Sequence, residues 1–442
     1  MNVAPIPSGP PAPPAPPAPP VSPAPPGEPA APVPLSMQQV LICGALIVTL
    51  SMGIRHGFGL WLQPMTMDRG WTRETFSFAL AMQNLAFGLA GPLAGMWADR
   101  KGAFPVLVTA GAMYALGLVG MALAPTGLLF TLTAGLLIGV AQSGCTYAVV
   151  FGVLARNVPA EKRTWAMAVA AAAGSFGQFL MVPVENGLIG AWGWQLALVL
   201  LAACSLAIVP LAWGLKEKPQ GAASGQQHSV SAALREAFAY PSFRLLMAGY
   251  FVCGFHLVFI GVHMPSYLKD QGLGPGVATT ALALIGLFNV FGTFGAGWLS
   301  GHFAKRHILA GIYTARAVAI LLFITLPLTP WSVYIFAAVM GLLWLSTVPL
   351  TNGIVAQVFG VRYLSMLGGF VFLSHQIGAF LGAWLGGRLF DITGSYTAMW
   401  WISVGLGVFA AVINLPVRES AIVRPLPLPP TSPLTTPRSL PA

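Results

Sequence analysis

Arg55, in the stretch "LSMGIRHGFGLWL" (50–62), and Arg316, in "GIYTARAVAI" (311–320), each interrupt an apolar run. A guanidinium presents a planar fork of donors that matches a carboxylate. In hydrocarbon the same charge would cost ~3 kcal/mol or more, so neither can face lipid. For Arg55 this points to contact with an anionic substrate, with Ser51 one turn away on the same face; the alternative is a structural arginine satisfied by backbone carbonyls. Arg316 is open to two readings, a brace on the eighth apolar segment or a further substrate contact at the cavity edge.

His256 and His263 lie two turns apart in "CGFHLVFIGVHMPSYLKD" (253–270). A histidine titrates near neutral pH and suits a coupling proton; a neutral, hydrogen-bonded ring is the alternative, and the preferred one for His256. Glu185 is the one acid well inside an apolar run. It reads as a proton carrier, as the partner of an arginine, or as a side chain reaching the membrane interface, the last being preferred. Gln83, Asn84, Gln142, Tyr147, Gln178, Asn289, Asn352, His375 and Gln376 complete a set of polar residues within apolar segments. Some are interhelical glue; Tyr147 and Asn289 are the preferred substrate contacts among them. The small-residue repeats Gly135/Gly139 and Gly378/Gly382/Gly386 call for close helix approach and need no chemistry.

These side chains need a membrane scaffold to hold them. The 442 residues are 56% hydrophobic and 7% charged, where a soluble domain carries roughly 25% charged residues. Apolar runs approach ~20 residues, the length of a membrane helix and about twice that of a barrel strand. The net charge of +10 is scattered over short loops, which argues against nucleic acid and for topology signals. Cys43, Cys145, Cys204 and Cys253 all fall in apolar runs with no metal-type spacing and read as small buried hydrophobes. No phosphate-binding loop, zinc motif or soluble catalytic domain is present. The chain therefore reads as neither an enzyme nor an ATP-driven pump, and needs no cofactor or metal.

Twelve apolar segments are predicted between 38 and 416, with the longest internal polar stretch between the sixth and seventh. The expected organisation is a Pro/Ala-rich tail (1–36), a six-helix bundle (37–215), a central loop (216–241), a second bundle (242–416) and a second Pro-rich tail (417–442). Both tails are too poor in core-forming residues to fold. With the N-terminus in the cytoplasm, the inner loops hold twelve Lys and Arg and the outer loops four, Arg69, Arg73, Lys269 and Arg388. Both termini are thus expected on the cytoplasmic side. The halves also echo each other: "GMWADRKGAFPVL" (95–107) and "GWLSGHFAKRHIL" (297–309) share spacing at corresponding loops, as in a parallel repeat.

"GMWADRKG" resembles the loop signature G-x-x-x-D-R-x-G of the major facilitator superfamily. "GSFGQF", "CGFHLVFIGVHMPSYLKDQGL" and "GLLWLSTVPLTNGIVAQVFG" resemble the bacterial branch related to monocarboxylate transporters and oxalate/formate antiporters, over nearly all of 38–416. The resemblance implies an all-α membrane protein of twelve transmembrane helices in two six-helix bundles. Helices one, four, seven and ten are then expected to line a central cavity, and Gly95, Asp99, Arg100 and Gly102 to form a gating loop. It further implies secondary transport of a small organic anion, often with a proton, in the inner membrane of a bacterium, by a chain expected to be a monomer. One departure is plain. Where animal monocarboxylate transporters carry an Asp and, four residues on, an Arg on helix eight, this chain has Asn289 and Thr293. His263 does match a histidine position of bacterial relatives. The rival readings are a drug exporter of the same fold, for which Glu185 is the one buried acid on offer, and a transporter-like metabolite sensor.

Overall fold

Long apolar runs leave the backbone no partner but itself, so each run must close its own hydrogen bonds as a helix. The computed structural model describes residues 35–217, 230–360 and 364–422. These form helices and no strands. The tail 1–34, part of the central loop (218–229) and the end of the chain (423–442) lie outside the described residues, and with them most of the sequence-based assignments for those segments.

Among the described residues, eleven stretches are long and apolar enough to cross a bilayer. The longest, Trp165–Leu215, has 51 residues; as one helix it would run about 75 Å at 1.5 Å per residue, more than twice a hydrocarbon core of ~30 Å. It is broken at Gly193 (φ 75°, ψ 164°), a conformation that a side chain disfavours. Counted as two, it gives twelve spans. We number them α1 (Met37–Arg69), α2 (Arg73–Lys101), α3 (Ala103–Leu123), α4 (Gly127–Asn157), α5 (163–192), α6 (194–215), α7 (Pro241–Asp270), α8 (Pro275–Leu299), α9 (Lys305–Thr325), α10 (Pro330–Phe359), α11 (Leu364–Thr393) and α12 (Thr397–Asn414).

The ends are set by local chemistry. Thr72 accepts from the Thr75 amide to start α2, and α7, α8 and α10 open with proline, whose missing N–H is not needed there. Leu35 N donates to Asn157 Oδ1 (3.2 Å) and Ile422 N to Val358 O (3.0 Å). Both described termini therefore lie where α4 and α10 finish, called the near end below.

Four spans are interrupted, α6 by a turn at Leu206 and Ala207. α1 is α-helical to His56, passes through a 3-10 turn at Phe58–Trp61 and resumes at Leu62–Arg69. α4 contains a π-helical stretch (Thr131–Leu137) and breaks at Cys145–Thr146, where Thr146 is extended. α10 breaks between Leu343 and Thr347. The expected glycine repeats do bring helices together. Gly135 and Gly139 leave no room for a Cβ against the Ala79 and Gln83 carbonyls of α2. Gly378 and Gly382 sit likewise on the Phe251 and Phe255 carbonyls of α7.

Buried apolar residues form two clusters. One runs from Val40 to Leu215 and takes in Val262 of α7; the other runs from Ala237 to Val417 and takes in Val182 of α5. Those two valines mark where the first and second halves of the chain interlock.

Candidate functional site

Arg55 stands on the last turn of α1 before its break and is half-buried. Its guanidinium donates to Gln142 Oε1 of α4, and through Nη2 to Asn84 Oδ1 of α2 (2.5 Å). It also lies over the Phe87 ring, 5.0 Å from the centroid. Phe87 in turn meets Phe372 of α11 edge-on (5.3 Å), which places Arg55 beside the seam between the halves. Both hydrogen-bond partners of the guanidinium are neutral amides, and no acid forms an ion pair with it among the described residues. Its charge is oriented by protein and left uncompensated.

Ser51 does not share that face with Arg55 as a site group. Its hydroxyl donates to the Cys145 carbonyl (2.8 Å), and its own carbonyl accepts from Tyr114 of α3 (3.1 Å). Tyr147 follows the break in α4, half-buried, with its ring on Phe151 and its hydroxyl against Gly174 of α5. Asn289 is buried and fully engaged. Its amide donates to Ser175 Oγ of α5 (2.9 Å), while its oxygen accepts from the Leu345 amide in the α10 break (2.9 Å) and from Thr293 (3.2 Å). With Gln178 donating to the Leu282 carbonyl (3.0 Å), it ties α5 to α8 across the seam.

Arg316 is fully buried and reaches the interruption of α10, where Nη2 donates to the carbonyls of Leu343 (2.5 Å) and Trp344 (2.6 Å). A helix C-terminus leaves carbonyls unpaired and carries partial negative charge, so a cation fits there. The helix that Arg316 bonds is thus α10 and not the expected eighth, while its Nε and Nη1 have no hydrogen-bond partner. His263 is also buried: its Nε2 is 2.8 Å from the Ala383 carbonyl and its Nδ1 3.1 Å from the Tyr396 hydroxyl. The carbonyl can only accept, so Nε2 carries the hydrogen and Nδ1 accepts from Tyr396. His256 Nε2 likewise meets the Ser403 carbonyl (2.8 Å).

Glu185 departs from the preferred interface reading. It is fully buried, both carboxyl oxygens lack a hydrogen-bond partner, and it packs directly on Gly57 at the α1 break. Hydropathy placed it inside a span but carried no sign of its direction.

The expected gating loop 95–102 is instead the last two turns of α2, with Gly95, Asp99 and Arg100 on the helix and Gly102 as its C-cap at φ 85° and ψ 162°, which accounts for glycine there. Asp99 pairs with Arg156 Nη1 (3.3 Å), and Arg156 pairs with Glu217 (2.5 Å); Arg100 is exposed. Asp99, Arg100 and Arg156 belong to the first half, and Glu217 directly follows α6.

The far end, by contrast, is joined across the halves by a network that sequence reading did not single out. Arg73 at the start of α2 makes a bidentate pair with Asp270 of α7 (2.6 and 2.8 Å), donates to the Tyr396 hydroxyl (3.0 Å) and covers the Phe390 ring (3.7 Å). Glu74 pairs with Arg388 (3.0 Å) and accepts from Trp384 Nε1 (3.0 Å). Asp391 of α11 accepts from the Arg73 and Glu74 amides (3.1 and 2.7 Å), capping α2 from the opposite half. The signal available in the sequence was the presence of two charges of opposite sign, Arg73 and Glu74, at one helix start.

Comparison with known proteins places this architecture. A transporter described as an uncharacterized MFS-type transporter, YcxA of Bacillus subtilis (strain 168), is 22% identical over 379 residues, covering 82% of this chain and 90% of that protein. Monocarboxylate transporter 11 of Mus musculus is 27% identical over 369 residues, covering 79% and 80%. Among solved structures, the D-xylose–proton symporter superposes with a TM-score of 0.70 at 15% identity, covering 87% of this chain and 99% of that one. A bacterial homologue of the human lysosomal transporter Spinster, inward-facing and occupied, gives 0.68 at 18%, covering 85% and 96%. These likenesses show the fold, and with residues 41–363 matching the family as a whole, the chain belongs to the Major Facilitator Superfamily and is a transporter, not an enzyme.

Proposed function

We propose that this transporter moves a small organic anion, a mono- or dicarboxylate, across the cytoplasmic membrane of a bacterium by alternating access, with a proton as the coupled ion. One observation carries the reading: the Arg55 guanidinium is half-buried beside the seam and held by the neutral amides of Gln142 and Asn84. A carboxylate would supply the missing charge and two acceptors matched to the fork. Relatives named as monocarboxylate transporters support it. Asn289 and Thr293 stand where such transporters carry an acid and an arginine, so the guanidinium would here come from α1. The near end then faces the cytoplasm, and the state described is closed to the outside.

The fungal Fujikurins efflux protein, 26% identical over 341 residues, supports a second reading as an exporter of amphipathic compounds. Uptake of labelled lactate, pyruvate, oxalate and succinate into proteoliposomes, with and without a pH gradient, separates the two. Saturable uptake of at least one carboxylate, enhanced by inward proton movement, is expected. Movement of an amphipathic dye alone would favour the exporter.

A further inference from the structure

Among the described residues, Glu185 is a buried acid with neither carboxyl oxygen hydrogen-bonded, and its position explains why. On α5, Gln178, Val182 and Glu185 share a face, spaced four and three residues apart. Gln178 donates across the seam to Leu282 of α8, and Val182 belongs to the apolar cluster of the second half. The same face carries Glu185 one turn further toward the far end. There it packs on Gly57 of α1. Two residues on, Gly59 lies so close to the Gly261 and Val262 carbonyls of α7 that a Cβ could not be accommodated. The carboxyl group therefore sits between α5 and the α1 break, two residues from the α1–α7 contact toward the far end.

A bare carboxylate without a hydrogen bond or cation is strongly disfavoured in such surroundings. Among the described residues, no ionisable group on the elements packed against α5 bonds to the Glu185 carboxyl. Arg55 holds Gln142 and Asn84, and His56 Nδ1 is 2.6 Å from the Met52 carbonyl. Tyr114 of α3 donates to Ser51 O. On α4, Tyr147 packs on Phe151 and Arg156 is committed to Glu217 and Asp99. α8 contains no ionisable residue.

We propose that Glu185 is the coupling site for the proton: the closed far end holds it as the neutral acid, and separation of α1 from α7 admits water that ionises it. The step is a reversible transfer between the carboxyl group and water, with no other bond changed. The proposal deepens the proton-coupled reading above and rests on it. An ionised Glu185 would oppose closure of the far end until a proton from outside returns.

The test uses the full-length protein in liposomes, with the four cysteines replaced and spin labels at exposed Met67 of α1 and Ile392 of α11, on opposite sides of the far end. No substrate is present. In the wild type the long-distance population should grow as pH rises. Glu185→Gln, an uncharged mimic of the acid, should keep the short distance at every pH, and Glu185→Asp should retain the response. A Glu185→Gln variant that opens with pH like the wild type, or a wild type without any pH response, would overturn the proposal. A second arm measures transport of labelled lactate, pyruvate and oxalate. Glu185→Gln should preserve exchange of anion across the membrane while losing accumulation driven by the proton gradient; accumulation equal to wild type counts against the site. If none of these anions moves but the spin-label response follows Glu185, the anion reading fails and the proton site stands.

Discussion

Arg55 is the residue on which the substrate assignment turns. The fork matters as well as the charge. Arg55→Lys keeps a cation but cannot match two carboxylate oxygens from one plane, so affinity should fall with transport still measurable. Arg55→Gln should lose more, because a charge-assisted hydrogen bond contributes roughly 1.5–3 kcal/mol and about 1.4 kcal/mol is a factor of ten. Binding or counterflow of the transported carboxylate on correctly inserted protein measures both. If Arg55→Gln binds as tightly as wild type, Arg55 is scaffold. The sequence pointed to Arg55 because a charge in an apolar run is conspicuous, yet its amide partners on α2 and α4 could not be read from spacing. The two candidates for a proton illustrate the same limit. His263 and Glu185 look alike in a hydropathy profile; in the fold one has both ring nitrogens engaged and the other has neither oxygen engaged. Such partners depend on contacts between helices far apart in the chain.

At the scale of elements, the spans were legible and their interruptions were not. Hydrophobicity records whether a segment can sit in lipid, and it continues unbroken through Cys145–Thr146 and through Trp344–Ser346. Each break exposes backbone carbonyls that another helix must satisfy. In the first half Ser51 bonds the Cys145 carbonyl; in the second, Cys253 meets Thr347 Oγ1 at 3.3 Å. Those two pairs are related by the same offset that superposes 95–107 on 297–309, so the repeat glimpsed in two loops extends to the way each half braces its fourth helix. Arg316 adds to the second brace. Arg316→Gln should destabilise the protein by roughly 3 kcal/mol, the loss of two charge-assisted hydrogen bonds, seen as a lower unfolding temperature in detergent. Affinity for the anion should not change. A large affinity loss at unchanged stability would instead make Arg316 a substrate contact. The turn between α5 and α6 gives a second test of this kind. Gly193 adopts φ 75° and ψ 164°, a region that costs a side chain about 1–3 kcal/mol. Gly193→Ala should therefore lower thermal stability and the yield of inserted protein, whereas an unaltered unfolding curve would show that the corner can be made another way.

For the whole molecule, the far-end network sets which side of the membrane the seam is closed to. Its members are not equal. Arg73 and Asp270 are largely buried, with 12% and 26% of their side-chain surfaces exposed, and bond twice; Arg388 is half exposed against Glu74. Solvent screening leaves an exposed pair at roughly 0.2–1 kcal/mol, less than the charge-assisted bonds of a sheltered bidentate one. Asp270→Asn should thus raise the population open at the far end by about tenfold or more, and Glu74→Gln by about fivefold or less. Ser77 reports the change. It is fully buried, its hydroxyl has no hydrogen-bond partner, and Gly387 of α11 closes over it one turn from Arg73. With Ser77→Cys in a background lacking the native cysteines, the rate of reaction with a membrane-impermeant thiol reagent added outside intact cells follows opening. It should be slow in the parent, faster with Glu74→Gln and fastest with Asp270→Asn. Exchanging the charges, Arg73→Asp with Asp270→Arg, should slow it again in part, since attraction returns while the hydrogen bond to Tyr396 and the cover of the Phe390 ring do not. Equal rates in all four proteins would mean that packing of α2 on α11, and not the ion pairs, holds the far end shut. Reaction only after the membrane is permeabilised would place that end in the cytoplasm and reverse the proposed orientation.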